Sequence, residues 1–370
     1  MSKEESRLDM QQKQVQEMLC KVNNKIEELG SNTSSIFNKL NEIAILFERI
    51  RNVPLEEKIK YEKTKKVRCN WKQQADKIEE NFKNVVVKDV GMGAAGASAG
   101  AAVALMGPTA AMGVATTFGV ASTGTAIASL SGAAATNAAL AWLGGGALAV
   151  GGGGMAAGNA FLALAGPVGW ILAGAAVLGS GTLFFKAKHD KKKVEEIFIL
   201  VGERDVRNYN LSLVELNERI DKINNECGLL DIAIRSIESM DTDYTLLSQA
   251  EKYELGSYVN LMLSSTQLLT EPILGLQPKY TEKDYNKYMG YIYQSPNLDF
   301  NRRHKDVIIS LCNTFYKINM NDSERKLLYK TLKGNKDFLK SIGYEKKDFD
   351  KKIFDEVASA LEYCYHFKGM

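Results

Sequence analysis

Between Val90 and Phe185 the chain carries no Asp, Glu, Lys or Arg, although 25% of its 370 residues are charged. Within these 96 residues, 22 are Gly and 29 are Ala. A globular segment of that length would return to water several times, and each return normally brings charge. The block is therefore suited to an apolar medium, or to helices packed with almost no side chain between them. All the charge falls in the flanks: 18 basic and 15 acidic residues over 1–89, and 29 of each over 186–370. The predicted fold class is all-α, with elongated coiled-coil arms flanking a Gly/Ala-rich apolar helical hairpin, plus a small C-terminal helical domain. The expected organisation is an N-terminal arm at 1–89, a membrane-inserting block at 90–185, a second arm at 186–240 and the C-terminal helical domain at 241–370.

The arms follow from heptad spacing. Val15, Leu19, Val22, Ile26, Leu29, Thr33, Ile36, Leu40, Ile43, Phe47 and Ile50 alternate steps of four and three, and only Thr33 is polar. Such a seam needs a partner helix. Gly30 and the serines after it weaken the middle and mark a place for a local break. Pro54 stops the helix, and a second one is predicted from Leu55 to about Lys88. On the far side of the block Val206, Tyr209, Leu213, Leu216, Ile220, Ile223, Cys227, Leu230, Ile234 and Ile237 repeat the pattern. The simplest arrangement runs up one arm, through the block and down the other, with the arms paired antiparallel. Pairing of each arm with a second copy is the alternative.

Inside the block, Pro108 and Pro167 each follow a glycine and suit the first turn of a new helix. Helices over Pro108–Ser131 and Pro167–Phe185 would be about 36 and 28 Å long, close to the hydrocarbon thickness of a bilayer. Trp170 and Gly174 lie on the second. Small residues four apart permit close helix approach: Gly96 and Gly100, Ala115 and Gly119, Ala128 and Gly132, Gly154 and Gly158. These positions are the predicted membrane-inserting residues. Lys83 and Lys88 precede the block, and Lys186, Lys188, Lys191, Lys192 and Lys193 follow it. They are candidate headgroup-binding residues, and their placement requires an even number of crossings. A Gly/Ala composition partitions weakly into lipid, which points to a segment sheltered in a soluble form and inserted when helices associate.

Motifs that would signal catalysis lack their context. Gly91-Met-Gly93-Ala-Ala-Gly96 matches a dinucleotide fingerprint, with Val85–Val90 ahead of it as the required strand, but no acidic residue follows before Asp190. Gly96-Ala-Ser98-Ala-Gly100 matches a nucleophile elbow without strand–helix alternation around it. Cys364 and His366 form the one close Cys/His pair, too few ligands for zinc. Five scattered cysteines fit a reducing compartment. The expectation is therefore no enzyme, no cofactor and no metal. The net charge of +3 does not suggest a nucleic-acid partner. The start, MSKEESRLDMQQKQ, has no apolar core of a signal peptide, so synthesis in the cytoplasm and membrane association on activation are expected.

From Asp241 onward tyrosines and prolines increase, and helices are predicted at about 246–269, 281–294, 303–318, 322–333 and 346–367. Asn321 with Glu324 has capping-box spacing. Sensing, partner binding or restraint of the apolar block are the tasks this region suits.

The run from Ala115 to Ala175 resembles the glycine-rich apolar blocks of bacterial membrane-active proteins. Coiled-coil arms on either side of an apolar hairpin are similar to the α-helical pore-forming toxins of the hemolysin E type, and to the hydrophobic translocators of type III secretion. The resemblance covers the order of parts over residues 1–240. It implies a homo-oligomer and permeabilisation of a lipid membrane, as a secreted toxin or a defence effector. The alternative is a non-lytic membrane-anchored scaffold or tether with a protein partner bound through 241–370.

Overall fold

A computed structural model describes residues 7–90, 108–118, 188–335, 339 and 344–367. These residues form an all-α structure dominated by long helices, with no strand among them. Helix α1 (Arg7–Arg49) is 43 residues long, and α2 (Leu55–Val90) is 36. A short α3 (Pro108–Phe118) follows, then the 52-residue α4 (Lys188–Ser239) and α5 (Gln249–Thr270). The chain ends with α6 (Glu282–Tyr291), α7 (Leu298–Arg303), α8 (Lys305–Thr314), α9 (Asp322–Gly334) and α10 (Lys352–Phe367).

The two heptad seams meet within one chain. Every described α1 seam position from Val15 to Ile50 is buried, Thr33 included. On α4, Leu216, Ile223 and Leu230 are fully covered. The arms pair in parallel, which corrects the antiparallel expectation. Arg7 meets Glu203 at one end, Lys39 meets Asp231 further along, and Arg51 bridges to Asp243 at the other end. Both partners advance in the same direction at each contact. The physical reason lies in α2, which supplies the return pass.

Pro54 enforces that return. Residues 50–54 turn through Asn52, held at φ 59°, whose amide donates to the Asp243 carboxylate at 3.0 and 3.1 Å. The Pro54 carbonyl then accepts the first helical bond of α2 from Lys58 N–H at 3.1 Å. Going down α2, Tyr61 packs at a tilt against Phe47 with ring centroids 4.7 Å apart, and Trp71 against Phe37 at 5.4 Å. Helix α5 runs antiparallel to α4: Ser236 meets Glu254, Glu226 meets Ser265, and Arg219 donates to the Leu268 and Glu271 carbonyls. It also packs along α2. The result is an up–down–up–down bundle of α1, α2, α4 and α5. The C-terminal end of α2 and the start of α4, which flank the charge-free block, both lie towards the end that holds the N-terminus of α1.

Helices α6–α10 pack beside the first third of α4. Arg204 donates from Nη1 to the carbonyls of Thr314 (2.7 Å) and Tyr316 (2.8 Å), closing the C-terminal end of α8. Buried Glu356 accepts from Tyr288, Asn297 and Asn301 at 2.8, 2.8 and 2.6 Å, and so holds α6, α7 and α10 together. The Asn321–Glu324 capping box is formed, as are boxes at Ser248–Glu251 and Thr281–Asp284.

Candidate functional site

The charge-free block enters the bundle through α3, where Pro108 opens the helix as its fixed φ favours. All eight residues from Ala110 to Thr117 are buried. Eight successive positions cover more than two turns, so between Ala110 and Thr117 no face of α3 reaches water. Its neighbours are α1, α2 and α5. Mostly small side chains make these contacts: Ala110, Ala111, Val114 and Ala115 are buried, with Met112 as the one long one among them. Closeness to lipid-style packing follows from composition alone.

The tightest point is a reciprocal glycine crossing. A Cβ on Gly30 would overlap the Thr109 carbonyl, and one on Gly113 would overlap the Ile26 carbonyl. Either would stand 3.0 Å from the other glycine's backbone nitrogen. Gly30 therefore does not break α1; it is the notch that lets another backbone approach. Threonines complete both sides. Thr33 Oγ1 donates to the Gly30 carbonyl at 3.0 Å, and Thr117 Oγ1 to the Gly113 carbonyl at 2.7 Å. This explains why the polar Thr33 occupies a seam position. Thr116 Oγ1 is buried and has no hydrogen-bond partner among the described residues.

The last turn of α3 is held from outside. The Thr117 carbonyl accepts from the Ile273 amide at 2.8 Å and from Gln277 Nε2 at 3.2 Å. Ile273 and Gln277 belong to a strap, residues 271–281, that links α5 to α6. On α4, Arg219 Nη1 donates to the Glu271 carbonyl at 2.7 Å, and Glu215 accepts from the Gly275 amide at 3.1 Å. On α8, Asn313 Oδ1 accepts from the amides of Lys279 and Tyr280 at 2.8 and 3.0 Å. Asn313 Nδ2 in turn donates to the Tyr280 carbonyl at 2.6 Å.

Buried charges lie on α4, at Arg204 and Asp205, and on α2, at Arg68. Asp205 receives Arg204 Nε and Nη2 at 2.9 and 2.8 Å, yet its burial pushes the carboxyl up to about 7. Desolvation outweighs the adjacent guanidinium there. On α2, Arg68 is buried near Glu48, which accepts from Tyr61 and from Lys65 at 2.7 Å. Those two bonds hold the Glu48 carboxyl below the usual range.

Of the predicted inserting residues, Pro108 and Ala115 lie on α3, with Ala115 buried. Gly96, Gly100, Gly119, Ala128, Gly132, Gly154, Gly158, Pro167, Trp170, Gly174 and Lys186 lie outside the described residues. Lys83 and Lys88 fall on the last turns of α2; Lys188, Lys191, Lys192 and Lys193 fall on the first two turns of α4. Residues 85–90 are helical, so the strand that a dinucleotide fingerprint needs is absent at that place. Cys364 is buried and His366 exposed on α10, so the pair does not face one site. Among the described residues no group of side chains suits a metal, and no helix is long and apolar enough to cross a membrane.

Sequence reasoning did not single out Gly113, Thr117, Ile273, Gln277 or Asn313. A signal was present for Gly30 alone: a glycine inside an unbroken heptad seam, followed by a seam threonine, marks a close backbone approach. Comparisons with protein-family models, with curated proteins and with solved structures give no match for this chain.

Proposed function

We propose that the chain is a conditional membrane-inserting effector that oligomerises and permeabilises a membrane. One observation carries the reading: a 96-residue stretch without charge, whose helix α3 is enclosed by a bundle of charged, heptad-patterned helices. Such a stretch is unnecessary for a stable bundle and costly to keep in water. The order of parts, arm–apolar block–arm, also follows that of helical pore-forming toxins. In this reading the four-helix bundle is the carrier, and α3 marks where the block is held. With 11 residues, α3 is about 16 Å long and covers half of a bilayer core. An inserted span therefore draws on residues beyond Phe118. The lysines at the ends of α2 and α4 lie towards one end of the bundle, where they suit anionic headgroups.

The test is dye release from vesicles of mixed zwitterionic and anionic lipid, with the purified full-length protein. Release is expected, and Ala175→Asp should abolish it, since a charge at a helix centre in lipid costs roughly 3 kcal/mol. Undiminished release by Ala175→Asp would show that the block does not insert. Sealed vesicles, with stable and harmless membrane attachment on expression, would favour the tether reading instead.

A further inference from the structure

We infer that the strap 271–281 is a catch, through which the C-terminal helices hold α3 in its seat. The inference rests on the reading above and concerns how insertion is restrained. Three observations carry it. First, small residues dominate the seat: Gly113, Ala110, Ala111, Ala115 and the threonines outnumber Val114 and Met112, and Thr116 Oγ1 is buried with no hydrogen-bond partner among the described residues. A buried unpaired hydroxyl favours leaving over staying. Second, the strap supplies two hydrogen bonds to the Thr117 carbonyl, one turn from the glycine crossing. An end-of-helix carbonyl needs an outside donor when buried, so α3 is complete only while Ile273 and Gln277 are in place. Third, the strap is fixed at its far end by α8, where the Asn313 side chain takes two strap amides and donates to a strap carbonyl.

The chain of contact is therefore continuous from α8, through Asn313 and the strap, to the last turn of α3. Arg204 ties the same end of α8 to α4. Movement of α8 away from α4 strains the strap between its α8 anchor at Lys279 and Tyr280 and its α4 anchors at Glu271 and Gly275, the stretch that carries Ile273 and Gln277. The C-terminal helices then act as the regulator of the block, and a partner binding them would set its release.

The experiment uses the full chain. Asn313→Ala removes the strap's anchor on α8, leaves its anchors on α4, and touches neither α3 nor the glycine crossing. Amide exchange of residues 112–118 should quicken about tenfold, as local opening becomes easier, and dye release should quicken with it. Faster exchange at Lys279 and Tyr280 with unchanged exchange across α3 would overturn the catch. Faster α3 exchange with sealed vesicles would uphold the catch and reject the pore reading. A second variant answers the case in which Asn313→Ala fails to fold. In a Cys69→Ser background, Ser212→Cys with Gly275→Cys places two thiols on carbons about 3.2 Å apart, near disulfide distance. The oxidised protein should hold α3 amides protected and release dye about tenfold more slowly than after reduction. Equal α3 exchange in the two redox forms would overturn the catch.

Discussion

Adding one methyl at Gly30 separates two accounts of α1. In a solvent-facing helix, Gly→Ala stabilises by about 1 kcal/mol, because glycine gives up more backbone freedom. At Gly30 the new methyl meets the Thr109 carbonyl. Gly30→Ala should therefore destabilise the protein by about 1–3 kcal/mol, as overpacking does. Urea unfolding reads the sign directly, and a raised midpoint would mean α3 does not sit on α1. Asp205 gives a pH signature of its own. Its folded carboxyl is raised to about 7 by burial, whereas an unfolded Asp titrates near 3.9. The folded state therefore holds the proton more tightly. That stabilisation is complete below the unfolded value and is lost as pH rises towards about 7. The stability of the parent relative to Asp205→Asn should fall between about pH 4 and 7. A difference that is flat or rises with pH would place the charge of Asp205 in a more favourable setting than its burial implies.

At the level of elements, the parallel register of α1 and α4 is open to a chemical test. Ser35 lies beside Cys227 across the seam, where its hydroxyl partly offsets the burial that pushes the Cys227 thiol up. Ser35→Cys should form an intrachain disulfide with Cys227 on mild oxidation, visible as a faster monomer band and a linked peptide by mass spectrometry. Dimer bands alone would mean that the arms pair between copies. Much of this architecture was legible. Steps of four and three identify the seam residues, because only a helix brings them to one side, and Pro54 marks the turn. Asn321 and Glu324 located a helix start. Direction was not legible: a heptad seam reads the same for parallel and antiparallel partners, and the short hairpin α1–α2 had first claim on the antiparallel side. Gly30 read as a weak point because its neighbour, α3, is about 80 residues away in sequence. The strap carries no local pattern pointing to Thr117. Its meaning exists only once α5 has brought Ile273 alongside α3.

For the whole molecule, the bundle gathers both flanks of the charge-free block towards one end and places the C-terminal helices beside the same stretch of α4. In the proposed catch, the strap and the helix it restrains are thus close neighbours, and the path between them is short. The parallel pairing has a further result for biosynthesis. Lys39 and its partner Asp231 are 192 residues apart in sequence. At a synthesis rate of about 5–20 residues per second, roughly 10–40 s separates the two. The hairpin partner α2 emerges early, but the whole uncharged block leaves the ribosome before α4 exists to close the seam of α1. Contacts of such long range also form slowly once the chain is free. The nascent protein therefore passes through a stage in which its uncharged segment has been made and the helix that closes the seam of α1 has not. Timing on the ribosome, as much as the finished fold, sets how long the uncharged block stands without α4.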